Sequence, residues 1–293
     1  MTNPLALRAS AEHEAARLPA LLARAEHLAG AVLLGEHGRR RAGMGDDFWQ
    51  YRPAQQGDSR RMIDHRRSAM GDTQFVRERE WQIAQSVMLW VDQGASMRFA
   101  SSDALPNKAE RARVLALAAA ILLVRGGERV GLTGTRLPPR RGNAQILRLA
   151  EMFSEDSEDD YAPPEHRAMI PHARAVFISD FLGPIEEVRL ALTKAADRGV
   201  RGAVLHVLDP AEEAFPFRGR TVFESMGGTV RHETLKANDL KDRYLERLAQ
   251  RKAELESLCA VAGWQYGLHH TETSAQAGLL WLWRALDGGR ASG

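Results

Sequence analysis

Short apolar runs recur along this chain with helix-length segments between them, and that alternation constrains the fold more than any other feature. SVMLWV (86–91), ERVGLT (128–133), AVFIS (175–179), GAVLHVL (202–208) and WQYGLHHT (264–271) read as strands. Residues 107–125, 143–153, 184–198, 239–262 and 274–286 read as helices, the first closed by Gly126-Gly127 and the third by Gly199. Continuous apolar runs suit strands covered on both faces. The sequence therefore predicts an α/β domain: a doubly wound, mostly parallel sheet flanked by helices and built from right-handed βαβ units. A β-hairpin is expected over 221–235 around Gly227-Gly228, and a helix broken near Pro19 over 4–29.

The chain has 293 residues, enough for two units. Residues 1–82 are expected to hold an N-terminal helix and an Arg-rich segment packed on a main domain at 83–290. Within 35–72 there are eight arginines and little apolar periodicity, which reads as loop-rich backbone held by side-chain hydrogen bonds. The acidic tract 154–165 reads as a solvated loop.

Arg8, Glu12, Glu14 and Arg17 interrupt the N-terminus, so it has no apolar signal core. The longest apolar run, Val114 to Val124, is eleven residues and cannot cross a hydrocarbon core of ~30 Å. It reads as a buried helix, and the chain as soluble and cytoplasmic. The single cysteine, Cys259, excludes a disulfide framework and reads as a packed core thiol. With 40 basic and 38 acidic side chains, the net charge of +2 does not call for nucleic acid or an anionic membrane as partner.

Three strands end in aspartate: Asp92, Asp180 and Asp209. In open α/β sheets ligands bind outside the carboxyl ends of the strands. Two carboxylates with nearby hydroxyls make a hard oxygen site suited to Mg²⁺. The competing reading is that each aspartate caps the following helix, and for Asp209, followed by Pro210, capping is preferred. No Gly-rich phosphate loop and no nucleophile elbow is present. His269 and His270, adjacent on a strand, point to opposite faces and make a poor metal pair. The arginines of 39–67 are interleaved with Glu36, Asp46, Asp47, Asp58 and Asp64, which favours internal ion pairing over an anion or nucleic-acid site.

Asp92-Gln93-Gly94-Ala95-Ser96 resembles the Asp-x-Ser-x-Ser motif that opens the metal-ion-dependent adhesion site of von Willebrand factor A domains. The stretch 35–82 resembles the signature of the bacterial domain-of-unknown-function 58 family, in which a conserved box precedes a von Willebrand A-like domain. Here the box reads Gly57, Asp58, Arg61, Ile63, Asp64, Arg66, Ser68 and Ala69, with His65 where the family commonly has Trp. The resemblance implies metal ligands at Asp92, Ser96 and Asp180. Gly94 replaces one hydroxyl of the motif, and Asn143 stands where the fold usually supplies a threonine. The site is thus expected to be degenerate, holding Mg²⁺ weakly or only together with a partner.

The resemblance further implies an adaptor or co-chaperone, not an enzyme, working with a MoxR-type AAA+ ATPase on a client the sequence does not name. Two other readings stand beside it. One is a metal-dependent hydrolase using Asp92 and Asp180. The other is an anion or nucleic-acid binder using the Arg-rich box.

Overall fold

The computed structural model describes residues 21–30, 48–53, 63, 75–79, 85–228 and 231–287. They fall into two compact units, Met1–Gly35 with Gln85–Gly293 and Glu36–Ala84. In the smaller unit, β1 (Phe48–Pro53) pairs antiparallel with β2 (Phe75–Arg79), bringing Pro53 opposite Phe75 and Phe48 opposite Arg79. Within the stretch 35–72, expected to be loop-rich, residues 48–53 form a strand, and most of the remainder lies outside the described residues. The aromatic content of FWQYR favours a strand, but the density of arginines hides it when the segment is read alone. The family-box residues Gly57, Asp58, Arg61, Asp64, Arg66 and Ser68 lie outside the described residues.

The larger unit is built on five parallel strands: β3 (Ser86–Val91), β4 (Arg129–Leu132), β5 (Arg174–Ser179), β6 (Arg201–Leu208) and β9 (Gln265–His270). Their order across the sheet is β4-β3-β5-β6-β9. The chain moves one way from β3 to β4 and then reverses to add β5, β6 and β9 on the other side. The switch point therefore falls between β3 and β5, where open α/β sheets bind ligands.

Alternate strand residues face opposite layers. Val87, Leu89, Val176, Ile178, Leu205 and Val207 pack under one set of helices. That set comprises the helix over 21–30 (α1), α2 (Lys108–Arg125), α3 (Asn143–Phe153) and α7 (Ala275–Asp287). Met88, Trp90, Ala175, Phe177 and Val204 pack under α4 (Ile185–Ala196) and α6 (Lys241–Ala262). The expected doubly wound α/β architecture is present. Cys259 lies within the second layer and is buried and free.

Helix α2 is buried without interruption from Arg111 to Leu123. It is lined by the sheet below, by α3 and α7 beside it, and by the small residues Ala25 and Ala29 of α1. Gly127, at φ 83°, adopts the left-handed conformation that lets the chain leave α2 and turn into β4. The long β6-to-β9 connection carries a short helix, α5 (Pro210–Ala214), and a separate antiparallel hairpin, β7 (Thr221–Glu224) with β8 (Arg231–Thr234). No helix among the described residues is long and apolar enough to cross a membrane.

Candidate functional site

Neighbouring strands of a parallel sheet end side by side, so β3, β5 and β6 deliver their terminal acids to one place. Asp92 follows β3, Ser179-Asp180 close β5, and Asp209 follows β6. All three aspartates are buried. Asp209 behaves as the capping reading expects: it accepts from Ala211 N–H at 2.8 Å and forms a capping box with Glu212 at the start of α5. Asp92 and Asp180 do not cap helices. Each instead accepts the backbone N–H two residues on, Asp92 Oδ1 from Gly94 at 2.7 Å and Asp180 Oδ1 from Leu182 at 3.1 Å.

Their other oxygens are also engaged. Ser179 Oγ donates to Asp92 Oδ2 at 2.6 Å and accepts from Phe181 N–H at 2.8 Å. Lys108 Nζ donates to Asp180 Oδ2 at 2.7 Å and to Glu212 Oε1 at 2.6 Å. Lys108 is 1% exposed and Asp180 0% exposed, so this is an interior ion cluster. Glu212 joins its two roles, since its Oε2 accepts from Asp209 N–H at 2.8 Å. Ser96, in the 3₁₀ turn Ala95–Arg98, has a buried hydroxyl without a well-formed hydrogen bond, close enough to Asp180 to favour its ionised form.

The two aspartates sit in opposite electrostatic settings. Burial and the neighbouring Asp180 charge push the Asp92 carboxyl up to about 7, against hydrogen bonds from Ser179, Gly94 and Ala162. Burial would also raise Asp180, but the Lys108 ammonium overrides it and holds Asp180 below the usual carboxylate range. Burial works against the Lys108 charge, and Asp180 and Glu212 more than restore it. His206, on β6, is fully buried with Nδ1 2.9 Å from the Tyr266 hydroxyl, and burial pushes it down to about 3.

The acidic tract does more than the solvated loop expected of it. Glu155, Asp156, Glu158 and Asp159 are exposed, but the backbone beneath is fastened. Ala95 N–H donates to Asp159 O at 2.8 Å, Ser96 N–H to Asp160 O at 2.9 Å, and Ser157 N–H to Gln93 O at 2.9 Å. The tract is a strap laid along the turn after β3. It explains Gly94: a Cβ there would lie 2.9 Å from both Asp160 O and Asp92 Oδ1, so the hydroxyl residue of the motif has no room. Beyond the strap a cleft of about 230 Å³ opens at the switch point, lined by Asp92, Ser179, Tyr161, Pro163, Pro164 and Glu187 among others.

The first turns of α2 hold these strand-end loops in place. Lys108 takes β5 and α5. Arg111 donates to Thr271 O at 2.7 Å, to Thr273 O, and to His269 Nε2 at 3.0 Å. Arg113 pairs with Asp156 of the strap. His269 is buried and pushed down to about 4 by burial and by Arg111, so it accepts as a neutral ring. His270 instead meets Glu213 at 2.5 Å, so the two histidines serve separate contacts and share no ligand.

The structure brings Asp92, Ser96 and Asp180 near one another and adds Lys108, which the sequence reading did not name. Lys108 opens the helix that carries the apolar run Val114–Val124, where a cation opposes the helix dipole unless acids offset it, but nothing local in the sequence marks those acids. Asn143 is exposed at the first turn of α3 and takes no part in the cluster's hydrogen bonds.

A divalent ion does not fit these residues. All four oxygens of Asp92 and Asp180 already accept hydrogen bonds. An ion coordinated by Asp180 would stand within about 5 Å of the Lys108 ammonium. Their repulsion would be roughly 7 kcal/mol or more at an effective dielectric of about 20. Among the described residues no group of three or more His, Cys, Asp or Glu side chains is placed to hold a metal.

The sequence is 29% identical over 239 residues to the uncharacterized proteins Rv1480 of Mycobacterium tuberculosis and Mb1516 of Mycobacterium bovis, covering 76% of this chain and 74% of each relative. Two solved structures overlap it loosely. One is an aerotolerance-related membrane protein from Bacteroides fragilis, with a TM-score of 0.40, 16% identity, and coverage of 70% of this chain and all of that one. The other is the conserved hypothetical protein BatB from Bacteroides thetaiotaomicron, with a TM-score of 0.39, 16% identity, and coverage of 71% of this chain and all of that one. Residues 50–254 match the family described as Protein of unknown function DUF58, a span that takes in most of β1, the strand-end cluster and most of α6, and the chain belongs to that family.

Proposed function

We propose that this chain is an intracellular protein-interaction module with a von Willebrand A-like main domain, acting as an adaptor or co-chaperone and not as an enzyme. The observation that carries the reading is the cleft at the β3/β5 switch point. At about 230 Å³ it lies below the ~300–1,000 Å³ usual for small-molecule sites and suits one inserted side chain of a protein partner. Its walls are the fastened strap on one side and the start of α4 on the other, with exposed Tyr161 at the rim. The family resemblance supplies the partner class, a MoxR-type AAA+ ATPase, with a client protein beyond it.

The test is affinity capture of the tagged full chain from its native lysate, with and without ATP. A MoxR-type ATPase should be recovered with the wild type and lost with Tyr161→Arg or Glu187→Lys, two rim changes that leave the core untouched. Recovery of the ATPase equally by both variants would move the docking surface elsewhere. No AAA+ ATPase in any capture would overturn the partner.

One observation favours a hydrolase as second reading: Ser179 donates to Asp92, whose carboxyl titrates near neutral pH. Against it, Ser179 is 1% exposed and its oxygen already accepts from Phe181 N–H. Turnover of generic esters or phosphoesters that Ser179→Ala abolishes would establish it.

A further inference from the structure

We propose that Lys108 is a tethered cation standing in for a divalent metal at the strand-end carboxylates, so that this site is complete without metal. The inference rests on the geometry of the cluster and not on the identity of any partner.

Carboxylates gathered at the ends of adjacent parallel strands need a counter-charge, because buried like charges raise each other's energy. A bound metal is one solution. Here the counter-charge arrives on a side chain. Lys108 Nζ stands 2.7 Å from Asp180 Oδ2 and 2.6 Å from Glu212 Oε1, and 5.8 Å from the centre of the Phe99 ring. Two carboxylates and an aromatic face thus surround the ammonium. Glu212 is fixed in turn by its bond from Asp209 N–H.

The position is built and not incidental. Lys108 is the first residue of α2, where Asn107 caps the helix by accepting from Glu110 N–H at 2.8 Å. A cation at a helix N-terminus is unfavourable on its own. It is held there by two acids from other elements, 72 and 104 residues away in the chain.

The other departures point the same way. Gly94 has no hydroxyl to offer and no room for one, because the strap crosses within contact distance of its Cα substituent. Asn143 is exposed and outside the hydrogen-bonded cluster. Both changes would weaken a metal site, and neither matters to a site whose cation is covalently part of the chain. A partner's carboxylate consequently has no metal to complete, and docking at this face should be indifferent to chelators.

Two lysine variants and one metal probe test this. Mn²⁺ is titrated into the wild type, Lys108→Ala and Lys108→Met, followed by electron paramagnetic resonance of the free ion and by thermal melting. The wild type should bind no Mn²⁺ at millimolar concentration through Asp92, and its melting temperature should be the same in Mn²⁺ and in EDTA. Removing the ammonium should create a site: Mn²⁺ should bind Lys108→Ala at least about tenfold tighter than wild type and raise its melting temperature, with Asp92→Asn in the same chain cancelling both. Lys108→Met, which fills the space without charge, covers the case in which the alanine variant does not fold. Tight Mn²⁺ binding by the wild type that Asp92→Asn removes would overturn the proposal. So would folded lysine variants that bind Mn²⁺ no better than the wild type. If neither variant folds, the wild-type titration and melting curves decide alone.

Discussion

Lys108 Nζ lies 2.7 Å from Asp180 Oδ2 with both side chains withdrawn from solvent, so the first residue of a helix neutralises the last acid of a strand. The pair ties α2 to the carboxyl end of the sheet, and Glu212 extends the tie to α5. Breaking a buried pair by removing one partner leaves an uncompensated charge, at a cost of about 3–5 kcal/mol. Lys108→Ala is therefore expected to unfold at much lower denaturant than wild type. Adding Asp180→Asn to Lys108→Ala should cost less than the sum of the two single changes, because the second change removes the orphaned charge. Additive losses in a double-mutant cycle would show that the two residues stabilise the fold independently.

Asp92 gives the protein a pH dependence of definite sign. Its folded carboxyl titrates near 7, above its ordinary value of 3.8, so the folded state retains a proton that the unfolded chain has already released. Its contribution is fully present below about pH 4 and is lost as pH rises through about 7. Asp92→Asn keeps the shape and removes the titration. Its melting temperature should improve relative to wild type on going from pH 5 to pH 8. Parallel curves for the two proteins would mean that Asp92 is ionised throughout.

His269 works in the opposite direction. It is buried as a neutral ring and its folded value, about 4, lies below the ordinary 6.5. The stability linked to it is present above about pH 6.5 and lost as pH falls toward 4, a window worth roughly 3 kcal/mol for a shift of this size. His269→Gln can still accept from Arg111, and it should lose less stability than wild type between pH 6.5 and pH 4. Equal acid sensitivity would place the titrating group elsewhere.

Gly94→Ser restores the hydroxyl that the metal-site motif would have, and tests whether the strap forbids it. The new Cβ would approach Asp160 O and Asp92 Oδ1 to 2.9 Å, closer than carbon tolerates. The substitution should destabilise by about 1–3 kcal/mol through overpacking and should bring no Mg²⁺ binding with it. A stable Gly94→Ser protein that binds Mg²⁺ would show that the strap yields and that the missing hydroxyl, not the lysine, was what the site lacked.

The layered α/β fold and the position of Asp92 and Asp180 just past the ends of their strands were legible in the sequence. Those features are local: an apolar run such as SVMLWV declares a strand buried on both faces, and the residue after it must stand at the sheet's carboxyl edge. The run Val114–Leu123 likewise declared a buried helix. The hairpin β1/β2 was not legible, because its pairing joins segments separated by more than twenty residues of mostly polar chain. What neutralises the strand-end acids could be read only from the folded chain. Lys108 is 72 residues from Asp180, and a lysine in a first helical turn looks the same in sequence whether it meets water or a buried carboxylate. Secondary structure follows from the periodicity of neighbours, whereas the state of a charge depends on which distant groups the fold brings within hydrogen-bond reach and how completely it excludes water from them.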